Sequence, residues 1–172
     1  MGMEPFVRNF IRASLVWLGV GILLGVSMAF WPAEHMVYRP AHAHANLLGF
    51  VSMMIFGVAY HVLPRFSGSP LWSRRSALVH LWVANLGLSG LVAGWVLRAW
   101  SGAPGEVLVR VGGTLSAVGG FLFIVNIWNT LGPVRRSDPA GVGARHDLSP
   151  SQRRPGLPLA AAGAGPGNGR HE

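Results

Sequence analysis

Apolar positions along the chain fall into four long blocks separated by short polar breaks. They are VRNFIRASLVWLGVGILLGVSMAFW (residues 7–31), HAHANLLGFVSMMIFGVAYHVLPRF (42–66), RSALVHLWVANLGLSGLVAGWVLRAW (75–100) and EVLVRVGGTLSAVGGFLFIVNIWNTL (106–131). Each exceeds the roughly 20 apolar residues that a helix needs to cross the hydrocarbon layer, and is far longer than a membrane strand of about 9–11 residues. Pro32 closes the first block, and Gly132-Pro133 closes the last, as helix stop signals. The pattern predicts an all-α, integral membrane four-helix bundle over residues 1–133.

Polar residues inside these blocks are few: His42, His44, Asn46, Tyr60, His61, His80, Asn85, Thr114, Asn126 and Asn129. Each is costly in lipid unless it faces the bundle, a cavity or a ligand. His44 and His61 lie about 25 Å apart along an ideal helix, so they belong to different sites. One candidate site is outer, with His42, His44 and His35 of the preceding loop. The other is inner, where His61 near the end of the second span can meet His80 in the third. For the inner pair an interhelical hydrogen bond competes with a metal or heme site. His42 and His44, two residues apart, point to opposite sides of a helix, so at most one is expected to face the bundle.

Small residues recur every four positions: Gly21 and Gly25, Gly90 and Gly94, and Gly112, Ser116 and Gly120. In lipid such stripes let helix backbones approach closely. They predict a tight bundle, a homodimer seam, or both.

Composition supports the membrane assignment, with 51% hydrophobic and 12% charged residues in a chain of 172, against about 25% charged in soluble proteins. From residue 134 onward the chain turns rich in Pro, Gly, Ala and Arg without aliphatic periodicity, which predicts a disordered cytoplasmic tail over 134–172. The net charge of +8 is carried by arginine alone, and it clusters at span borders and in the tail. That placement suits topology and anionic lipid headgroups, and argues against nucleic-acid binding, which needs a folded basic surface. Arg8, Arg12, Arg65, Arg74, Arg75, Arg135 and Arg136 collect on one side, and Arg39, Arg98 and Arg110 on the other. The positive-inside rule then places both termini in the cytoplasm of a multi-pass plasma (inner) membrane protein, with His44 near the outer face. The first block is longer than a signal-peptide core, so it is expected to be retained as a helix. With no cysteine present, any metal must be held by His, Met or oxygen.

The stretch HAHANLLGFVSMMIFGVAYHVLP resembles the second transmembrane helix of subunit I of the heme-copper oxidase superfamily, in its cytochrome c oxidase and nitric oxide reductase branches. The residues that carry the resemblance are Arg39, His44, Asn46, Leu47, Leu48, Gly57, Tyr60 and Pro64. The resemblance implies a bundle like the N-terminal helices of that subunit, and it assigns to His44 an axial bond to the iron of a heme b. In the family the second ligand comes from a late helix. Here it would come from Met28, from a histidine of a second copy across a dimer axis, or from nothing, leaving the position open to a gas. Arg39 could pair with heme propionates, and His42 takes an interfacial or dimer-contact role.

No histidine cluster in the third or fourth span offers a copper site, so the resemblance implies no oxygen or nitric oxide reduction by this chain alone. The function expected is that of a membrane heme b protein transferring electrons in or beside a respiratory chain. Its expected partners are lipid, a second copy or other membrane subunits, and a redox partner. The competing expectations are a gas- or metal-responsive sensor or accessory protein, and a cofactor-free structural subunit of a membrane complex.

Overall fold

A computed structural model describes residues 2–31 and 35–132. Helix α1 spans Pro5–Phe30 and opens with proline in its first turn, where the missing N–H leaves no bond unmade. The second span is built in three pieces: α2 (His35–His44), a π-helical segment (Ala45–Ser52) and α3 (Met53–Phe66). Helices α4 (Arg74–Ser101) and α5 (Ala103–Thr130) complete the bundle. All four spans are long and apolar enough to cross a membrane, and the described residues contain no strand. The expected four-helix membrane bundle is therefore the architecture observed; the tail expected over 134–172 lies outside the described residues.

Two features of the second span differ from expectation. Helix begins at His35 rather than near His42, because hydropathy marks where a helix becomes apolar and not where its hydrogen bonds begin. His35 thus starts α2 instead of sitting in a loop. Downstream, the chain widens to π geometry, in which each N–H reaches one carbonyl further back. One inserted residue re-phases the helix faces by about 100°. Ser52 donates its hydroxyl to the Leu47 carbonyl at 2.8 Å, supporting the widened turn from its own side chain.

Close backbone approach sets the packing. A Cβ on Gly49 would lie 2.5 Å from Cβ of Trp17, and one on Gly21 would lie 2.5 Å from the Asn46 amide. The first and second spans therefore pack as they do only because both carry glycine there. Helices α4 and α5 form a hairpin joined by the single residue Gly102, whose φ of +56° lies in the left-handed region. Along this hairpin a Cβ on Gly94 would lie 2.6 Å from the Val109 nitrogen, and one on Gly112 would collide with the Leu91 backbone. Gly90 and Gly94 of the predicted α4 stripe, with Gly112 and Ser116 of the predicted α5 stripe, lie at the seam of this hairpin, whereas a Cβ on Gly120, the third residue of the α5 stripe, would meet nothing within 4 Å.

The far end of the hairpin is locked by polar bonds. Ser73 caps α4, its side chain accepting from the Ser76 N–H at 3.1 Å. Its own backbone is held by Asn126 of α5, which accepts from the Ser73 N–H at 3.1 Å and donates to the Ser73 carbonyl at 2.9 Å. Thr130 accepts from the Trp72 N–H at 3.1 Å. Asn126 has no exposed surface, so replacing it strands two backbone groups.

Asn126→Leu is expected to lower stability by about 2 kcal/mol, the cost of leaving buried backbone groups unpaired. Asn129→Leu, at an exposed position on the same helix, is expected to be near neutral. Thermal unfolding in detergent followed by circular dichroism checks the pair.

Candidate functional site

The outer histidines sit on opposite faces of a span that lies between α1 and the α4–α5 hairpin. Both faces therefore meet protein, and the expectation that at most one would do so fails because the second span has neighbours on two sides. His42 is half-buried against α1, with Nδ1 2.8 Å from the Gly21 carbonyl. A carbonyl only accepts, so Nδ1 carries the proton. Asn46 donates to the His42 carbonyl at 2.9 Å and braces the same turn. A Cβ on Gly25 would meet the His42 ring at 3.0 Å, so α1 keeps glycine where the imidazole lies.

His44 turns the other way. Its Nδ1 donates to the Pro40 carbonyl at 2.7 Å, one turn earlier, which places the lone pair on Nε2. Nε2 makes no hydrogen bond among the described residues, and the ring lines a groove of about 580 Å³. Leu48 of the same span, Leu91 and Trp95 of α4, and Gly113 and Gly120 of α5 line it as well. A Cβ built on Gly120 would meet nothing within 4 Å, and one on Gly113 only a Leu91 methyl at 3.8 Å. Unlike Gly112, then, these glycines leave open space instead of being filled by a neighbouring helix. A smaller cavity of about 80 Å³ adjoins the groove, sharing Leu48, Ser116 and Gly120 with it.

The other residues expected at this site lie elsewhere. Met28 is half-buried in α1, which contributes nothing to the groove lining, and Arg39 is exposed on α2 outside it. The arginine that lines the groove is Arg110 of α5. Trp95 and Ser116 also line it, and each has a buried side-chain atom, Nε1 and Oγ, with no hydrogen-bond partner. That Trp95 lines a groove depends on how α4 is rotated, which hydropathy does not report.

At the inner end, His80 pairs with Tyr60 and not with His61. The Tyr60 hydroxyl and His80 Nδ1 are 3.1 Å apart. His80 is fully buried, with the rings of Phe10, Phe56 and Phe123 centred 5.0, 4.7 and 5.8 Å away. His61 follows Tyr60 by one residue, so its ring points about 100° away from that contact. Its Nδ1 is left without a partner. Among the described residues no three of the side chains His, Asp and Glu gather into a chelating cluster. A single prepared imidazole beside a groove suits a macrocyclic ligand that brings its own donors, as a porphyrin does.

Known proteins are similar to this chain in sequence. The family described as cytochrome c and quinol oxidase polypeptide I matches residues 6–142. Cbb3-type cytochrome c oxidase subunit CcoN1 of Stutzerimonas stutzeri is 25% identical, the match covering 85% of this chain and 36% of that protein. Cytochrome c oxidase subunit 1 of Rhodobacter capsulatus is 29% identical over 74% of this chain and 29% of its own length. The bacteroid cytochrome c oxidase subunit 1 homolog of Bradyrhizobium diazoefficiens is 26% identical, covering 74% and 28%. The chain spans about a third of the length of these relatives.

Tyr60→Phe is expected to cost about 1–3 kcal/mol, because His80 keeps a buried polar ring and loses its partner. Adding His80→Phe is expected to recover part of that loss, since two apolar rings leave nothing unpaired. A double-mutant cycle by thermal unfolding measures the coupling; additive losses would show that the two side chains act independently.

Proposed function

The chain belongs to the cytochrome c and quinol oxidase polypeptide I family, and from that membership we propose that it is a membrane heme b protein whose iron ligand is His44. The observation that carries the proposal is the state of the His44 imidazole. Its Nδ1–H is fixed on the Pro40 carbonyl at 2.7 Å, and its ring lines a groove floored by open glycines. A backbone carbonyl behind an imidazole sets its tautomer and raises its basicity as a ligand. When bound, heme supplies one-electron chemistry, with a potential tuned by its axial ligands and by the polarity around it. His44 would hold the iron, the glycine floor would admit the ring, and Leu48 and Leu91 would exclude water.

His42 supports a second reading. Its Nδ1–H is likewise fixed by a carbonyl, and Gly25 of α1 makes room for its ring. Its ring lies against Gly25 of α1 and does not line the groove that His44 lines, so His44 is preferred. Met28 lies outside the groove lining, so a second iron ligand would have to come from a second copy or another membrane subunit.

The role proposed is electron transfer in or beside a respiratory chain, without a copper-heme catalytic centre of its own. The plasma membrane is the proposed location, with both termini cytoplasmic and His44 near the outer face. A gas-responsive protein is favoured instead if the sixth position proves vacant. The adjoining apolar cavity of about 80 Å³ would then offer room for a diatomic ligand.

The purified protein is expected to show a Soret band that His44→Ala removes and His42→Ala retains; the reverse pattern would transfer the ligand role to His42. Gly120→Leu, whose Cβ would meet nothing within 4 Å, is expected to fill the groove and abolish heme retention while the protein stays folded. Carbon monoxide shifts the reduced spectrum only if one axial position is vacant. Because the chain has no cysteine, single cysteines at Ser67 and Ser101 report topology directly. Ser101 is expected to react with an impermeant thiol reagent from outside, and Ser67 only after lysis.

A further inference from the structure

A separate groove of about 330 Å³ lies between α1 and α4, towards the end of the bundle where both helices begin. Asn9, Arg12 and Ala13 of α1 line it, with Leu81, Trp82 and Asn85 of α4. Two side-chain contacts fix the register of these helices: Glu4 with Arg74 at 2.7 Å, and Trp17 with Asn85 at 3.0 Å. Arg12 stands between them on α1, level with Leu81 and Trp82.

Residues 13–30 carry no charge and extend about 27 Å as a helix, close to the hydrocarbon thickness of about 30 Å. Arg12 therefore stands where hydrocarbon gives way to headgroups. Its side chain is exposed, as is that of Asn9 one turn earlier, and neither has a side-chain hydrogen bond or ion pair among the described residues. A guanidinium that faces lipid without a counter-ion is costly. Arg8 on α1 and Arg75 on α4 are exposed too, and have no ion pair among the described residues. Glu4, the described carboxylate at this end, is taken up by Arg74. The groove thus joins an accessible, uncompensated cation to an apolar wall, beside two further positive charges.

We propose that this groove holds one acidic phospholipid, with its phosphodiester on Arg12 and an acyl chain along Leu81 and Trp82. A guanidinium can give two parallel N–H bonds to two phosphate oxygens. Asn9, three residues before Arg12 on the same helix face, adds an amide donor. Arg8 and Arg75 act through their charge: they repel a headgroup that carries its own ammonium, so an anionic lipid is preferred to a zwitterionic one. Free phosphate is the poorer occupant, because Ala13, Leu81 and Trp82 give it nothing to pack against. General attraction of basic residues to an acidic membrane would be shared by every exposed arginine, whereas this site depends on Arg12. It is distinct from the His44 groove and does not rest on the heme reading.

The test is native mass spectrometry of the full chain in detergent, titrated separately with phosphatidylglycerol, phosphatidylcholine and glycerol 3-phosphate. Phosphatidylglycerol is expected to bind about tenfold more tightly than phosphatidylcholine, the scale of one charge-assisted hydrogen bond, and glycerol 3-phosphate not to bind. Arg12→Gln is expected to remove that preference and leave the unfolding temperature in lipid-free detergent unchanged. Arg39→Gln, which removes an exposed arginine from α2, is expected to keep the preference. Trp82→Ala is expected to weaken both lipids alike. Equal binding of the two lipids by the wild type would overturn the proposal, as would equal loss of preference in Arg12→Gln and Arg39→Gln, which is the mark of diffuse attraction. Glycerol 3-phosphate binding as tightly as the lipid, or lipid binding unmoved by Trp82→Ala, would overturn it as well.

Discussion

The bundle is governed by the requirement that polar groups in lipid find partners within the protein. Most side-chain hydroxyls and amides in the spans meet it on their own helix. Ser14, Ser27, Thr114 and Asn129 donate to carbonyls three or four residues earlier. A smaller set bridges helices: Trp17 to Asn85 across α1 and α4 at 3.0 Å, Tyr60 to His80, and Asn126 to the Ser73 backbone. These bonds decide which faces meet, since dispersion alone distinguishes poorly between one apolar helix face and another. Against that background the few unsatisfied atoms gain meaning. Of the four among the described residues, two belong to Trp95 and Ser116, residues that line the same groove as His44 although these atoms themselves are buried.

The same requirement separates the two histidine regions. His80 is surrounded by aromatic rings and shares a hydrogen bond with Tyr60, so its environment is completed by the protein, apart from Nε2. His44 has been given one partner, the Pro40 carbonyl, and left open on the other side. A ring fixed at one nitrogen and free at the other suits the ligand role proposed for His44, because the fixed side sets the tautomer and the orientation beforehand. His42 shares the first half of that arrangement through the Gly21 carbonyl. What separates it from His44 is the volume available beside the ring.

The spans were legible in the sequence because length and hydropathy alone decide them. The shape of the second span was not. Neither the early start of α2 nor the π-helical turn from Ala45 to Ser52 changes the apolar count, and both depend on backbone hydrogen bonds that composition does not encode. The resemblance carried by Arg39, His44, Asn46, Gly57 and Tyr60 named the family correctly from one helix. It did not reveal that Tyr60 takes His80 as its partner, because that bond joins different spans. Arg39 drew notice by standing near the motif in sequence, whereas Arg110 comes to line the same groove as His44 through the fold.

The glycines of α5 show where such reading stops. Gly112 and Gly113, and again Gly119 and Gly120, are adjacent pairs seven residues apart, and all four look alike as small residues in a membrane helix. Neighbours on a helix diverge by about 100°, so each pair divides its labour. Gly112 and Gly119 are pressed against the α4 backbone, where a Cβ would collide with Leu91 or crowd Ala84, while Gly113 and Gly120 look out on the groove. Close packing accounts for the first of each pair and not for the second. At a face that served only lipid, leucine at 113 and 120 would add apolar contact and lose nothing. Their smallness keeps open the groove that His44 also lines, so the hairpin is shaped on one side by its own seam and on the other by the groove.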